Sequence, residues 1–483
     1  MDGLISATEK IMGLELFNTL SRTVEPFQTL DQEGKKVGMY CCGPTVHDYA
    51  HIGNFRTFVL SDLMRRYLDF KGYDVRHVMN ITDVEDKIIA RVKASGGSLR
   101  DYTSRYEKAF LNDLSDLQCQ LPTEMPRATE HMPSIIDLIK RLVERGIAYS
   151  AKDGSVYFSI NHYQKIGCCY GQLLKLDFDQ MRPGERVQSD EYAKDSVADF
   201  ALWKARTEGD GDVFWESPWG EGRPGWHVEC SAMSMQYLGA SFDLHLGGED
   251  LVFPHHEDEI AQSEGAAMQE PGQKFVKHWV HGSHLLVEGK KMSKSLGNFF
   301  TLRDLIGKGF TGREIRFVLL SAHYRETFNF TMEGLQGAKT ALSRLDECLY
   351  KLNQKAGDSK GDGKSDLPLR FEKAMDDDLN VSAAWAVVFE WVRDMNRQIA
   401  EGSLNVNDAS VALQAWGRID SVLGIGSEGK ADDIPAEVQS LAEQRLSARQ
   451  SKDYTAADRI RDELKAMGWV VEDTPQGPRP KKI

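Results

Sequence analysis

The chain has 483 residues, of which 41% are hydrophobic and 27% charged, so it is long enough for about three domains that each bury a core. With 59 basic and 73 acidic residues its formal net charge is −14, which excludes a protein that coats nucleic acid through overall positive charge. No segment approaches the ~18 consecutive apolar residues of a membrane-spanning helix, and the N-terminus lacks the pattern of a signal or transit peptide, so we expect a cytoplasmic protein that binds no membrane.

The first predicted unit is a strand, a helix and a second strand. The apolar run Val37–Cys42 predicts a buried strand that ends at Gly43. Helical periodicity follows over Phe55–Phe70, with Gly72 as a stop signal, and Val75–Ile81 predicts the second strand. This order is typical of a βαβ unit with parallel strands.

Further elements follow in a less regular order. Between Gly146 and about Gly222 the pattern is irregular and indicates an insertion rather than more βαβ units. Around it we predict a helix over Ser134–Arg145, a strand over Phe242–Leu246, a helix over Pro254–Gln262 and a β-rich segment over Phe275–Val287.

Helices predominate after Leu302. The region comprises a polar linker or exposed loop at Gln354–Pro368, an amphipathic helical segment at Phe371–Ala400, a second loop at Gly424–Pro435, a helix at Tyr454–Met467 and a strand at Trp469–Glu472.

A loop with two histidines lies between the first strand and the first helix. It reads Pro44-Thr45-Val-His47 and, after three residues, His51-Ile-Gly53-Asn54. A helix N-terminus favours anions, and Gly53 lets a ligand approach the backbone closely. The histidines could therefore hydrogen-bond phosphate oxygens, although so short a match also fits a capped loop with solvated histidines.

A cationic loop between glycines follows much later in the chain. It reads Gly289-Lys-Lys291-Met292-Ser293-Lys294-Ser295-Leu-Gly-Asn298. Three lysines and two serines are suited to gripping a polyphosphate during group transfer. The composition alone also fits a solvated basic loop, but the order KMSKSLGN is far more specific than the composition.

Dispersed residues could form a metal site. Cys42 ends the first strand, Cys230 follows Gly-Trp-His-Val-Glu, and His255 and Glu259 are four residues apart on one helical face. Two thiolates, an imidazole and a carboxylate make a plausible zinc set. Spacing alone does not decide the matter, because there is no CxxC pair and His256 with Glu259 would also fit. Buried cysteines beside an acidic surface helix are the alternative to a metal site.

Together these motifs resemble the class I aminoacyl-tRNA synthetases, whose paired signatures are HIGH and KMSKS. Longer strings resemble the cysteinyl-tRNA synthetase family in particular and occur in its order: Tyr40–Tyr49 (YCCGPTVHDY), Asn80–Asp83 (NITD), Asp199–Lys204 (DFALWK), Gly225–Cys230 (GWHVEC), Phe253–Glu259 (FPHHEDE), Met375–Asp378 (MDDD), Ala457–Glu463 (ADRIRDE) and Glu472–Gly477 (EDTPQG). The resemblance extends from about Leu14 to Pro478.

The resemblance implies an α/β fold with a Rossmann-type parallel-sheet catalytic domain, an inserted connective domain, an α-helical tRNA-binding domain and a small C-terminal α+β region. The expected boundaries are residues 14–135 and 223–270 for the two halves of the catalytic domain, 136–222 for the connective insertion, 271–330 for the lysine-loop stem-contact region, 331–425 for the helical anticodon-binding domain and 436–483 for the C-terminal anticodon-recognition region.

The resemblance also implies a ligand set and a pocket. One Zn²⁺ per chain is expected on Cys42, Cys230, His255 and Glu259. Zinc prefers a soft thiolate ligand to a hydroxyl. It would therefore discriminate cysteine from serine better than an apolar pocket, which gives only about 10²-fold discrimination. The expected pocket residues are Thr82, Trp226 and His245.

The implied reaction has two steps. L-cysteine reacts with ATP, in the presence of Mg²⁺, to give cysteinyl-adenylate and pyrophosphate. The 2′-OH of the 3′-terminal adenosine of tRNA(Cys) then accepts the aminoacyl group. The expected catalytic residues are His47, His51, Asn54, Lys291 and Lys294, and further ATP contacts are expected from Pro44, Thr45, Gly53, Met292, Ser293 and Ser295. We expect the largest single effect from Lys294.

The C-terminal third is expected to bind tRNA(Cys), in a protein that acts as a monomer. From Leu441 onward there are nine Lys and Arg residues against seven Asp and Glu residues, a locally positive balance. Anticodon bases are read unstacked by hydrogen bonds and stacking. The candidate contacts are Arg449, Arg459, Arg461, Trp469 and Lys481, each of which could instead belong to a solvated helix face.

Two residues depart from the family pattern. Asn54 stands where the first signature usually has its last histidine, so any role that needs an imidazolium there is in doubt. Leu246 stands where a small residue is expected beside Gly247. Two other functions share part of this pattern. A ligase that joins cysteine to an amino-sugar would lack the tRNA-reading C-terminus, and a zinc-stabilised RNA-binding protein without catalysis would not require the lysine loop.

Overall fold

The structure is a computed structural model that describes residues 13–174, 199–267, 274–293, 296–426, 435–474 and 477–482. The chain divides into two compact units after Ile425, and each unit is described by itself below. Among the described residues, no helix combines the length and the apolar character needed to cross a membrane.

The strands of the described residues, in chain order, are β1 (Glu15–Asn18), β2 (Thr23–Pro26), β3 (Lys36–Cys41), β4 (Asp74–Met79), β5 (Ala148–Ser150), β6 (Val156–Phe158), β7 (Phe200–Ala205), β8 (Gly222–Pro224), β9 (Phe242–Gly248), β10 (Val276–Gly282), β11 (Leu285–Val287), β12 (Lys290–Lys291), β13 (Phe328–Phe330), β14 (Trp469–Thr474) and β15 (Gly477–Lys482). The α-helices are α1 (Ile52–Phe70), α2 (Asp86–Ser95), α3 (Leu99–Asp116), α4 (Met132–Glu144), α5 (Ile160–Lys165), α6 (Trp226–Leu238), α7 (Glu257–Ala267), α8 (Leu302–Gly307), α9 (Gly312–Leu319), α10 (Met332–Ala356), α11 (Leu367–Asp376), α12 (Val381–Glu401), α13 (Val406–Leu423), α14 (Ala436–Gln450) and α15 (Tyr454–Ala466).

A parallel sheet in the order β10-β9-β3-β4 forms the centre of the first unit. The predicted strand, helix and strand are β3, α1 and β4, and β3 pairs with β4 in parallel. The next strand of the sheet along the chain, β9, pairs with the other edge of β3. The strand order therefore reverses between β3 and β9, and the crevice outside the carboxyl ends of such strands is where α/β folds bind ligands.

The segment between α4 and α6 forms a separate antiparallel sheet, β5-β6-β7-β8. Val156, Phe158, Leu202 and Trp203 of this sheet are buried in one hydrophobic cluster. This agrees with the prediction that the irregular stretch before Gly222 interrupts the βαβ series, and it confirms the α/β class with an inserted sheet. A third small sheet, β12-β11-β13, supports the lysine loop.

The amphipathic segment Phe371–Ala400 lies in two helices, α11 and α12, rather than in one continuous helix. It breaks between α11 and α12, where Asp378 and Leu379 adopt positive φ angles of 54° and 52°. The break places the buried Asp378 carboxylate where it accepts hydrogen bonds from the Phe17 amide (2.8 Å) and from the Arg325 guanidinium (2.6 Å). Long-range hydrogen bonds to a buried charge have outweighed local helical propensity.

The predicted linker Gln354–Pro368 is also more ordered than its composition suggested. Helix α10 continues to Ala356, and the loop after it is held against α13. Asp362 and Asn407 exchange two hydrogen bonds (2.8 and 2.9 Å), and Ser410 donates to the Ser359 carbonyl (2.9 Å).

The second unit contains α14, α15 and the antiparallel hairpin β14-β15. Its core is formed by Val438, Ile460, Leu464 and Trp469. The helix and the first strand agree with the sequence prediction, whereas β15 was not predicted. Residues 427–434 of the predicted loop Gly424–Pro435 lie outside the described residues.

Candidate metal centre and nucleotide site

The loops after β3 and β4 are paired at the carboxyl end of the sheet. Gly43 donates to the Asn80 side chain (2.9 Å), and Thr82 donates to the Pro44 carbonyl (3.1 Å). A Cβ on Gly43 would lie 1.7 Å from the Asn80 carbonyl oxygen, so only glycine permits this approach. The pairing fixes Cys42 and Thr82 on neighbouring loops.

Four of the predicted site residues come together behind these loops. Cys42 follows β3, Cys230 lies in the second turn of α6, His255 lies in the turn that leads into α7, and Glu259 lies in α7. All four side chains are buried, and their ligand atoms lie within 4.8 Å of one another.

The separations of these ligand atoms fit a tetrahedral ion. Metal–ligand bonds of about 2.0–2.3 Å at tetrahedral angles give ligand separations of about 3.8 Å for two sulfurs, 3.5 Å for sulfur and oxygen, and 3.3 Å for nitrogen and oxygen. The Cys42 and Cys230 sulfurs are 4.0 Å apart, the Cys42 sulfur is 3.5 Å from Glu259 Oε1, and His255 Nε2 is 3.0 Å from the same oxygen. The residues present therefore fit a zinc-like ion.

A second set shares two of these ligands, so the alternative that spacing left open remains visible in the structure. Cys42, His245, His256 and Glu259 also offer ligand atoms within 4.8 Å of one another. Here His256 Nε2 lies 4.0 Å from Glu259 Oε1, which is longer than a tetrahedral edge, and the set contains one thiol rather than two. Because the second set has this longer separation and only one soft ligand, the first set is the better zinc site.

Charge and hydrogen bonding prepare the first set for a cation. A hydrogen bond from the Cys42 thiol outweighs burial and lowers the pKa of Cys230 to about 6. Burial alone would raise the pKa of Glu259, but His245 and His255 lower it to about 2. Burial likewise opposes a charge on His255, whereas Cys230 and Glu259 raise its pKa to about 10. A metal ion would replace the protons now shared among these groups.

Two of the three predicted pocket residues, His245 and Trp226, contact members of this centre, and Thr82 lies on the loop paired with the one that follows Cys42. Thr82 is buried, His245 lies 3.0 Å from Glu259 through Nε2, and the ring centroid of Trp226 is 4.5 Å from that of His255. Trp226 is 39% exposed, so part of its ring is accessible to solvent.

Sequence reasoning missed one aromatic neighbour of the metal centre. The buried Tyr40 lies on β3, and burial together with the charges of Cys230, Cys42 and Glu259 raises the pKa of its hydroxyl well above the usual value. Strand alternation would have found it, because Tyr40 and Cys42 are two residues apart and side chains at that spacing share a face.

His51, Gly53 and Asn54, three of the predicted nucleotide residues, lie at the N-terminus of α1. His51 is the N-cap of this helix, and Thr45 bridges to Thr82. Burial lowers the pKa of His47, which favours its neutral ring. The Ile52 amide donates to the Phe300 carbonyl (2.9 Å), so the segment after the lysine loop is attached to the same helix end.

The described part of the lysine loop reaches the first signature. A Cβ built on Gly53 would lie 2.6 Å from the terminal methyl carbon of Met292, so the two motifs are in contact. Ser293 donates to the Asn298 side chain (2.9 Å), and Lys291 lies on the exposed strand β12. Lys294 and Ser295 lie outside the described residues.

The candidate tRNA contacts of the second unit differ in their accessibility. Trp469 is buried in the core, so its ring is not available to stack on a base, and this expectation was wrong. Arg461 is exposed and pairs with Asp458 and Asp462 (2.8 and 3.0 Å). Arg449 lies on α14 and Arg459 on α15, while the side chain of Lys481 is not among those described.

Three family models match the chain in sequence order. Residues 27–340 match the class I tRNA synthetase (C) catalytic domain, residues 370–426 match the DALR domain, and residues 431–478 match the cysteinyl-tRNA ligase anticodon binding domain.

Curated relatives match over almost their full length. The chain is 43% identical over 482 residues to the cysteine–tRNA ligase of Protochlamydia amoebophila, covering 98% of each chain. It is 46% identical over 487 residues to that of Chlamydia muridarum, covering 98% of this chain and all of the relative. Among solved structures, methionyl-tRNA synthetase of Mycobacterium tuberculosis in complex with methionyl-adenylate has a TM-score of 0.58 at 14% identity, covering 88% of this chain and 96% of that chain, which shows a shared fold.

Proposed function

The chain belongs to the cysteine–tRNA ligase family of class I aminoacyl-tRNA synthetases, and we propose that it activates L-cysteine with ATP and transfers it to tRNA(Cys) at the site described above. It is an aminoacyl-tRNA synthetase. The observation that supports the proposed site most is the buried group of Cys42, Cys230, His255 and Glu259, which adjoins the loops that lead to α1.

In the activation step the cysteine carboxylate attacks the α-phosphate of ATP and pyrophosphate leaves. The N-terminus of α1 with His47 and His51 binds the phosphates, and Pro44, Thr45 and Gly53 shape the adjoining loop. Lys291 and Lys294 close over the outer phosphates together with Mg²⁺, and Met292, Ser293 and Ser295 supply further ATP contacts. Such transfer depends mainly on positioning and on stabilisation of charge.

Selection of cysteine depends on the proposed Zn²⁺ on Cys42, Cys230, His255 and Glu259. When bound, zinc supplies a soft Lewis acid that favours a thiolate over a hydroxyl. Thr82, Trp226 and His245 enclose the small substrate beside it. The hydroxyl of serine would not gain the favourable zinc interaction that the thiolate of cysteine gains. We therefore propose that no separate editing domain is required.

For the transfer step we propose that the C-terminal domains, with the boundaries predicted from the sequence, bind the tRNA. Residues 331–425 and 436–483 bind the anticodon side of tRNA(Cys), and the 2′-OH of its terminal adenosine attacks the adenylate. The enzyme acts as a monomer in the cytoplasm, where tRNA and ATP are available. The match to an anticodon binding domain over residues 431–478 disfavours an amino-sugar ligase, which would lack that domain.

The test is cysteine-dependent ATP–pyrophosphate exchange with zinc present and after chelation, with serine measured in parallel, followed by charging of tRNA(Cys). The expected result is exchange with cysteine only, its loss on chelation, and its return with zinc. Exchange that is unaffected by chelation would contradict the zinc proposal. Absence of exchange with every amino acid would contradict the proposed site and favour an RNA-binding protein without catalysis.

A further inference from the structure

A series of three hydrogen bonds leads from the proposed zinc site to the N-terminal hairpin β1-β2. The Cys42 sulfur lies 3.5 Å from His256 Nε2. The other ring nitrogen of His256, Nδ1, lies 2.8 Å from His281 Nε2, and His281 Nδ1 lies 2.7 Å from Thr19 Oγ1. We call Thr19, His281 and His256 the histidine bridge. None of the three belongs to the proposed zinc ligands or to the proposed phosphate-binding residues, so the function proposed above gives the bridge no role.

The N-terminal hairpin is attached to β10, and this attachment places Thr19 beside His281. The Thr19 amide donates to the Trp279 carbonyl (2.9 Å). The buried Asn18 side chain accepts from the Trp279 amide (3.0 Å) and donates to the Lys277 carbonyl (2.9 Å). These bonds fix the hairpin on β10, so the Thr19 hydroxyl reaches the ring of His281, two residues beyond Trp279.

The ring of His256 is fixed by packing as well as by hydrogen bonds. Gly247 of β9 pairs with His281 of β10, and a Cβ on Gly247 would lie 3.0 Å from His256 Nε2 and overlap His256 Cε1. Glycine therefore leaves the space that the ring occupies. The Trp279 ring packs against it as well, with the two centroids 5.1 Å apart. Both nitrogens of the His256 ring have partners, so its direction is determined.

The chemistry of the site sets the direction of the three hydrogen bonds when zinc is bound. Both rings are buried, which disfavours a charge, and a neutral imidazole has one donor and one acceptor nitrogen. A cysteine that ligates zinc is a thiolate, which can only accept. His256 Nε2 therefore donates to the Cys42 sulfur, and His256 Nδ1 accepts from His281 Nε2. His281 Nδ1 then accepts from the Thr19 hydroxyl, with which the series begins.

We infer that the histidine bridge holds the Cys42 thiolate in place for zinc, and that the Thr19 hydroxyl of the N-terminal hairpin strengthens this hold. Groups that hydrogen-bond a metal ligand orient it and tune its affinity for the metal. His256 donates to the sulfur, while His281 and Thr19 set the tautomer and the direction of its ring. All three are positioning residues for the zinc site. The inference rests on the proposed function, in which Cys42 is one of four zinc ligands.

The first test uses full-length protein with Thr19→Val, Thr19→Ser and Thr23→Val. Valine keeps the shape of threonine without its hydroxyl, and serine keeps the hydroxyl. Thr23 is the matched control, because it is exposed on the same hairpin and its hydroxyl lies 3.0 Å from that of Ser21. Three quantities are measured: the zinc Kd by competition with a chelator, the thiolate-to-metal charge-transfer absorption of the cobalt-substituted protein, and the thermal midpoint of the zinc-free protein.

We expect Thr19→Val to raise the zinc Kd by about fivefold, the effect of one neutral hydrogen bond. The charge-transfer band should move to longer wavelength, because a weaker hydrogen bond leaves more electron density on the sulfur. Thr19→Ser should stay within about twofold of wild type, and Thr23→Val should be unchanged. An unchanged Kd and band in Thr19→Val would overturn the inference. A fall in the thermal midpoint alone would also overturn it, because a purely structural role would give that result.

The second test compares His256→Leu with His256→Gln at the sulfur end of the bridge. The amide nitrogen of glutamine can take the place of His256 Nε2 and donate to Cys42, whereas leucine cannot. We expect the zinc Kd to rise by about 10–100-fold in His256→Leu and by clearly less in His256→Gln. Glutamine is a poor zinc ligand, so equal losses in both variants would mean that His256 itself binds the ion and would overturn the inference.

The wild-type protein separates failure of the inference from failure of the proposed function. Binding of one zinc ion per chain by wild type supports the proposed site, and the ratios of variant to wild type then decide on the bridge. A wild-type protein that binds no zinc would contradict the proposed zinc site and the inference with it. If His256→Leu does not fold, the Thr19 variants decide, because the half-buried Thr19 touches neither the ion nor its ligands.

Discussion

Asn54 and His51 exchange two hydrogen bonds at the start of α1. The His51 amide donates to Asn54 Oδ1 (3.1 Å), and the Asn54 amide donates to His51 Nδ1 (3.3 Å). A ring nitrogen that accepts a hydrogen bond carries no proton, so the remaining hydrogen of the neutral ring is on Nε2, from which it can donate to a phosphate. Asparagine at position 54 thus supplies the reciprocal half of a helix cap without a charge.

We predict that Asn54→Ala lowers cysteine-dependent ATP–pyrophosphate exchange by about tenfold, because the loss of a helix cap costs roughly 1 kcal/mol and frees the His51 loop. Asn54→Gln should retain most of the activity, since glutamine also completes such a cap. Both variants are measured by exchange over a range of ATP concentrations. Equal activity of the alanine variant and the wild type would contradict the role of the cap.

A second prediction concerns the contact between Gly53 and Met292. In Gly53→Ala the new methyl group would lie 2.6 Å from the Met292 methyl carbon and 3.1 Å from His51 Cε1, so either the lysine loop or the His51 ring must move. We expect exchange to fall by about tenfold or more, since small misplacements of reacting groups cost up to about 10²-fold.

The Gly53→Ala/Met292→Ala double variant separates these two causes. Partial recovery relative to Gly53→Ala would show that the two motifs interact directly, as non-additive effects do for residues in contact. Strictly additive losses would show that the contact has no part in activation.

A third prediction concerns Cys230. Replacement by serine removes one of the two thiolates of the proposed zinc set, so we expect Cys230→Ser to lose bound zinc and the preference for cysteine over serine together. Discrimination should fall to the ~10²-fold or less that an apolar pocket provides. Zinc content is measured by elemental analysis, and exchange is measured with each amino acid. A metal-free variant that discriminates as well as wild type would refute the link.

A fourth prediction concerns stability in acid. Burial lowers the pKa of His77 to about 3, whereas an unfolded histidine titrates near ~6.5. The unfolded chain therefore binds more protons below that pH, and stability present at pH 7 is lost as the pH falls. Between pH 7 and pH 5 this one group accounts for roughly 2 kcal/mol.

His77→Gln should show a smaller drop in thermal midpoint between pH 7 and pH 5 than the wild type, because glutamine carries no titrating group and can still hydrogen-bond Ser61, whose Oγ lies 3.1 Å from His77 Nε2. His162→Gln is the control, since His162 is exposed. Parallel drops in all three proteins would rule out His77 as a source of the pH dependence.

The sequence predicted those elements whose periodicity and local stop signals agree. α1 was predictable because Phe55, Val59 and Leu63 face the core and Gly72 ends the segment. The parallel pairing of β3 and β4 followed from the helix between them. The motifs HIG and KMSKS, read with the family pattern, led to residues that the structure brings into contact, such as Gly53 and Met292.

The remaining features depend on contacts between distant residues. The break at Asp378 requires partners as far away as Phe17, and a helical pattern contains no sign of them. The sequence suggested Trp469 as a ring that stacks on a base, because nothing near it in the chain shows that it is buried. Its burial depends on contacts with Val438 and Ile460, which lie on the two preceding helices. Spacing could not choose between the two ligand sets either, because His255 and His256 are adjacent and both point inward.

The inserted sheet has a consequence for synthesis of the protein. Cys42 and Cys230 are 188 residues apart, and Cys42 and Glu259 are 217 residues apart, with β5–β8 made between them. A ribosome must therefore produce more than half of the polypeptide before the last ligand emerges, and closing such long loops is slow. Until then Cys42 is a bare thiol in a nascent chain, so the proposed metal site can be completed only late in the maturation of this half of the molecule.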